Sequence, residues 1–213
     1  QFSLFSSPNQ SLSSVAHATL SVTAMGVYEA SLNGKRIGDF VLAPGWTSYR
    51  HRLQVQTYDV TELLSSENEL SILVGKGWYR SPLAWPDEAH RQQKAQISAG
   101  LIALLTITYT DGNTQLLPTG ADWSAYESNV RFSEIYDGET YDAAFDPSSA
   151  PIAIEEFDGP SDTLIAQQGE KITEQERIAP ARIFTTPAGE TVIDFGILLH
   201  HLFKQRNNLF LQP

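Results

Sequence analysis

The 213-residue sequence contains no cysteine and a single methionine. Without thiols there is no disulfide framework, no thiolate metal site and no cysteine nucleophile. Basic residues are scarce: 14 Lys and Arg stand against 25 Asp and Glu, a net charge of −11. A chain of this charge repels phosphate backbones and anionic lipid, which argues against a nucleic-acid or membrane partner. No run approaches the roughly 18 apolar residues of a membrane-spanning helix. Gln1-Phe2-Ser3-Leu4 has no basic stretch followed by an apolar core, so no signal peptide is predicted here. The compartment stays open between cytoplasmic and secreted. Long amphipathic helices are also missing, since no extended run repeats with a helical period. The five histidines (17, 51, 90, 200 and 201) lack zinc-ligand spacing. No dinucleotide fingerprint, P-loop or G-x-S-x-G elbow occurs.

What the sequence does contain is short alternating runs separated by specified turns. Val27 to Leu32 alternates into Asn33-Gly34, and Lys35-Arg36-Ile37-Gly38 follows. Both turn residues tolerate positive φ, so residues 27–38 are predicted as a type I′ hairpin. Pro44-Gly45 reads as a second turn, with Pro presetting φ at its first central position. Asp59-Val60-Thr61-Glu62-Leu63-Leu64 suits one helical turn. Strands are expected over Phe2–Phe5, Ala16–Ala24, Glu69–Val74, Leu101–Thr110 and Thr114–Leu117, with Asp111-Gly112 turning the last pair. Residues 80–100 are the least regular part, and within them residues 80–90, with Pro82, Trp85 and Pro86, read as a long surface loop. Residues 146–163 are rich in Pro, Ser and acids and read as a linker. Short strands follow within 164–167, 177–183 and 191–196. Many short strands with frequent turns predict an all-β fold, a jelly-roll-like β-sandwich.

Five motifs in order carry a resemblance. They are Gly26-Val27-Tyr28-Glu29; Asn33-Gly34-Lys35-Arg36-Ile37-Gly38-Asp39; Leu42-Ala43-Pro44-Gly45-Trp46-Thr47-Ser48-Tyr49; Tyr58-Asp59-Val60-Thr61-Glu62-Leu63-Leu64; and Gly75-Lys76-Gly77-Trp78-Tyr79. Together they resemble the amino-terminal β-domain of bacterial α-L-rhamnosidases. Ile135-Tyr136-Asp137-Gly138-Glu139-Thr140-Tyr141-Asp142 extends the likeness. Two departures stand out: Ser81 replaces the Gly that usually follows G-W-Y-R, and Ala144 stands where that family usually has Arg. After Asp194-Phe195-Gly196 the pattern breaks. The domain reading is therefore 1–158 as the jelly-roll sandwich, 159–196 as linker and first strands of a following β-domain, and 197–213 as an atypical tail.

Glycoside hydrolysis needs two carboxylates flanking the scissile bond. Asp137, Glu139 and Asp142 are close in sequence, and on a strand 137 and 139 would share a face about 7 Å apart. Acids beside turns are usually solvated or bonded to backbone donors. The resemblance implies that the catalytic acids of the inverting hydrolase lie in a separate (α/α)₆ barrel downstream, so no catalytic residue and no enzymatic activity are expected of this chain.

Sugars are held by aromatic rings against their C–H faces and by polar side chains on their hydroxyls. The expected sugar-binding set is Trp78, Trp85, Asn33, Arg80, Asp87 and Glu88, with Trp46, Tyr49, Tyr79 and Asp39 as further candidates. Trp46 and Trp78 have a competing reading as core residues, and Asn33 one as a turn residue. The implied partner is L-rhamnose or a rhamnose-containing glycan. No cofactor is required; calcium is possible, with Asp87 and Glu88 as its oxygen ligands. The resulting expectation is a non-catalytic carbohydrate-binding or substrate-positioning domain of an α-L-rhamnosidase. Its rival is a purely structural β-module that supports the barrel.

Overall fold

A computed structural model describes residues 2–3, 14–82, 88–159 and 163–196. The chain divides into two compact units, residues 1–173 and 174–213. In the first unit the strands run β1 (Phe2–Ser3), β2 (Val15–Met25), β3 (Val27–Leu32), β4 (Lys35–Arg36), β5 (Leu53–Asp59), β6 (Glu67–Asn68) and β7 (Leu70–Gly75). Two helices follow, α1 (Gly77–Arg80) and α2 (Glu88–Ala95). Then come β8 (Gly100–Tyr109), β9 (Thr114–Pro118), β10 (Ala125–Tyr126), β11 (Val130–Glu134), β12 (Gly138–Tyr141), β13 (Pro151–Ile152) and β14 (Leu164–Ala166). The chain is all-β in class, as its turn-punctuated alternation predicts.

Two sheets enclose the core. One has five strands in the order β14-β5-β2-β8-β9, the other three in the order β4-β3-β7. In β2, Ala18, Leu20, Val22 and Ala24 point inward; in β8, Ala103, Leu105, Ile107 and Tyr109 do so. Antiparallel pairing sets Leu20 opposite both Leu105 and Tyr58, so these inward residues lie on one face. Tyr28, Ala30 and Leu32 of β3 close the other side of the same core. A slip of one residue in any of these strands would turn its apolar set to water, which is what pins the register.

The turns follow backbone sterics. Asn33 and Gly34 have φ of 54° and 73°, the type I′ pair expected of the β3–β4 hairpin. Thr61–Leu63 forms a single 3₁₀ turn after Asp59, whose carboxylate accepts from the Thr61 amide and hydroxyl. The Pro44 turn differs from expectation. The Gly45 amide donates to Leu42 O, so Pro44 is the second central residue, and the Ala43–Pro44 bond is cis. That is the cis-proline turn, in which Pro occupies the position after the one first assigned.

Two other expectations are corrected. Residues 88–95 form α2 rather than part of a loop. This eight-residue stretch contains only residues tolerated in helices, and the side chain of Gln92 donates to Glu88 one turn back. It is too short to register as a periodic run. The stretch 164–166, read as opening a following domain, pairs in parallel with β5, Leu164 opposite Leu53. Side chains hold it there: Gln56 Nε2 donates to Gln167 Oε1, and the Gln168 amide donates to Gln54 Oε1. Gln54 also donates to Pro44 O, so one strand ties the proline turn and β14 together.

In the second unit β15 (Arg182–Thr185) and β16 (Thr191–Asp194) form an antiparallel hairpin. Arg182 reaches Asp194 at 2.7 Å across it, and the Gly196 amide caps the same carboxylate. Residues 197–213, the tail of the sequence reading, lie outside the described residues.

Candidate functional site

The Pro44 turn and helix α1 bring their aromatic residues together. Gly45 has a φ of 89°, a conformation that favours glycine, and the chain beyond it runs without regular structure to Ser48. Trp46 and Trp78 stack with centroids 6.1 Å apart and an interplanar angle of 11°. Tyr49 and Tyr79 meet edge to face at 5.1 Å. Trp46 is not a core residue, because 61% of it is exposed; Trp78 beneath it is half-buried. The competing core reading therefore fails for Trp46.

Beside the tyrosine pair lies a half-open pocket of about 350 Å³, lined by Met25, Tyr49, Arg50, Leu53, Tyr79, Phe157, Asp158, Gly159 and Thr163. Its volume is near the lower end of the roughly 300–1,000 Å³ typical of small-molecule sites. Three aromatic residues, one arginine and one aspartate are among those that line it. Burial pushes the Tyr49 phenol up to about 12, so at neutral pH it is a hydroxyl, donating to Gly45 O.

The predicted sugar-binding residues separate. Trp85 and Asp87 lie outside the described residues. Glu88 is exposed in the first turn of α2 and accepts from Gln92. Arg80 ends α1, and its Nε is buried with no hydrogen-bond partner among the described residues. Asn33 is a structural residue: its amide donates to Leu63 O and Asn68 Oδ1, and its carbonyl accepts from Glu69 N, each at 2.9 Å. Asp39 is exposed and 3.8 Å from Lys171. Among the described residues no group of three or more His, Asp or Glu side chains is placed to hold a metal ion.

The carboxylates near 137 do not share a strand face. Asp137 lies in the turn before β12 and pairs with Arg91 at 3.3 Å, whereas Glu139 is exposed within β12 opposite Ser133. The buried acid of this region is Glu134, which no motif had singled out. It accepts from the Ser81 hydroxyl and from the amides of Tyr136 and Asp137. Burial pushes its pKa up, but these hydrogen bonds outweigh burial and hold it below the usual carboxylate range. Ser81, the residue that departs from G-W-Y-R-G, is fully buried and has extended backbone, so this position has no need of glycine.

The α-L-rhamnosidase N-terminal domain model matches residues 13–176. The chain belongs to this family. An α-L-rhamnosidase of Streptomyces avermitilis is 34% identical over 194 residues, which is 85% of this chain and 18% of that protein. One from Alteromonas sp. is 32% identical over 195 residues, covering 85% of this chain and 21% of that one. Among solved structures, the native α-L-rhamnosidase of Aspergillus terreus aligns with a TM-score of 0.72 at 33% identity, over 86% of this chain and 22% of that chain. The Streptomyces avermitilis enzyme complexed with L-rhamnose aligns at 0.73 and 32% identity, over 90% and 19%. The chain thus spans about one fifth of the length of the relatives it matches.

Within this rhamnosidase N-terminal domain, sequence reasoning named Tyr49 and Tyr79 but missed Arg50, Phe157 and Asp158. A signal existed for the last two. Phe157-Asp158-Gly159 places a large aromatic and a turn inside an otherwise acidic, linker-like stretch, which is an unusual use of an aromatic residue unless something packs on it.

Proposed function

We propose that this domain is a non-catalytic carbohydrate-binding module of an α-L-rhamnosidase, which holds terminal α-L-rhamnose for hydrolysis elsewhere in the enzyme. The observation that carries this reading is the pocket in which Tyr49, Tyr79 and Phe157 meet Arg50 and Asp158. Rhamnose has an apolar face and a methyl group suited to the rings, and vicinal hydroxyls suited to a guanidinium and a carboxylate. A relative was crystallised with L-rhamnose, which makes that sugar the first ligand to test.

Chemistry is assigned elsewhere. An inverting glycosidase places its acid and base about 6.5–9.5 Å apart around an enclosed sugar. Here Asp137 is engaged by Arg91 and Glu139 faces solvent. The domain alone is expected to release no p-nitrophenol from its α-L-rhamnoside; turnover abolished by Glu139→Gln would overturn that assignment. Calcium belongs to this reading as a ligand of Glu88 and Asp87, tested by titrating with and without chelator.

The test of binding is a titration with L-rhamnose followed by NMR or calorimetry. A monosaccharide of about 11 heavy atoms, at roughly 0.3–0.5 kcal/mol per atom in an open site, binds near the millimolar range. Tyr79→Ala should abolish the response. No response at tens of millimolar sugar would favour the structural-module reading. One observation already speaks for that rival: β12 and β13 bury no residue, and two-stranded ribbons of this kind need cover from another body.

A further inference from the structure

Trp46 has no role in the pocket, yet it is the most exposed tryptophan among the described residues, at 61%. One face of its indole lies on Trp78, at 11° to it, which turns the opposite face to solvent. Its position is specified from both sides. Gly45 turns the chain at a φ of 89°, Gln54 Nε2 donates to Pro44 O at 3.1 Å, and Trp78 sits on helix α1 one residue before Tyr79 of the pocket. Tyr49, three residues after Trp46, meets Tyr79 edge to face and donates its hydroxyl back to Gly45 O at 3.3 Å. The exposed indole and the pocket wall are thus built from the same two segments.

We propose that Trp46 is the platform of a second sugar subsite next to the pocket, so that the ligand is a glycan of at least two residues rather than a lone monosaccharide. The inference rests on the carbohydrate-binding reading above. The pocket, with Arg50 and Asp158 at its wall, grips the terminal ring through its hydroxyls. The indole offers only a flat apolar face, so it receives the C–H face of the next ring and tolerates different sugars there. Specificity then lies at the terminal residue, and affinity grows with chain length.

The experiment compares L-rhamnose with an α-L-rhamnosyl-glucose disaccharide on the whole chain by calorimetry, with tryptophan emission as a second readout. The disaccharide should bind about five- to tenfold tighter, the range that one added aromatic stack supplies. Trp46→Ala should erase that gain and leave the monosaccharide affinity unchanged. Trp46→Tyr, which keeps a ring, should retain part of it. An unchanged thermal midpoint in Trp46→Tyr guards against a folding artefact. If wild type binds both sugars equally, or Trp46→Ala keeps the gain, the second subsite is refuted while the pocket stands. If neither sugar binds, the carbohydrate-binding reading itself fails and this inference with it.

Discussion

Asn33 decides between two roles that the sequence leaves open, and the structure allows the cost of losing it to be worked out. Its φ of 54° is left-handed, and its side chain makes three hydrogen bonds that join the β3–β4 turn to Leu63, Asn68 and the start of β7. Each such bond contributes about 1 kcal/mol net, and a left-handed conformation costs Ala about 1 kcal/mol relative to Asn or Gly. Asn33→Ala should therefore lose about 3–4 kcal/mol, and Asn33→Gly, which keeps the backbone but loses the bonds, about 1 kcal/mol less. In a domain of this size each kcal/mol lowers the melting temperature by about 2–4 °C, so the alanine variant should melt about 10 °C below wild type. Asn33→Asp isolates the amide: it keeps the acceptor for Glu69 N and loses both donors. The assay is thermal unfolding by circular dichroism on the three variants, paired with the rhamnose titration. A melting temperature within 2 °C of wild type for Asn33→Ala, together with lost sugar binding, would show that Asn33 is a ligand after all and that the hydrogen-bond reading is wrong.

Other perturbations test other parts of the fold. Glu134 is held below the usual carboxylate range, so its contribution is complete above the ordinary glutamate pKa of about 4.3 and is lost as pH falls through the depressed value. Glu134→Gln should lower stability at pH 7 by about 1–2 kcal/mol, and the gap should narrow as pH falls below the ordinary glutamate range; parallel curves of melting temperature against pH would refute this. Gly38→Ala places a Cβ 2.3 Å from the Tyr58 ring at a φ of 71°, so it should cost about 2–4 kcal/mol in a chemical denaturation series. Gln56→Leu removes the link from Tyr28 to Gln167 and should raise amide exchange in β14 well before β2 or β8 is affected, as read by hydrogen–deuterium exchange.

How much was legible in the sequence depends on the distance over which each feature is encoded. The Asn33-Gly34 hairpin, the 3₁₀ turn after Asp59 and the inward face of β2 were readable because they arise from sterics within four residues or from an alternation of period two. The five ordered motifs were likewise enough to point to the family. Helix α2 was missed for a related reason, since eight residues without an apolar stripe leave no period to detect. It is held from outside, by Lys94 Nζ on Tyr79 O and Arg91 on Asp137.

The sequence by itself determined the class of fold, the Asn33-Gly34 and Asp59 turns and the inward-facing positions of β2. Tertiary structure alone decided which residues meet. Gln56 and Gln167 bond across 111 positions, and Ser81 and Glu134 across 53. The pocket gathers Met25, Tyr49, Tyr79 and Phe157 from four separate segments. No local propensity encodes such pairings, because their energy exists only once the strands between them have taken their register. The same holds for Trp46. Nothing in Pro44-Gly45-Trp46 says whether the indole turns inward or out. With Trp78 on one face, the other is left to water.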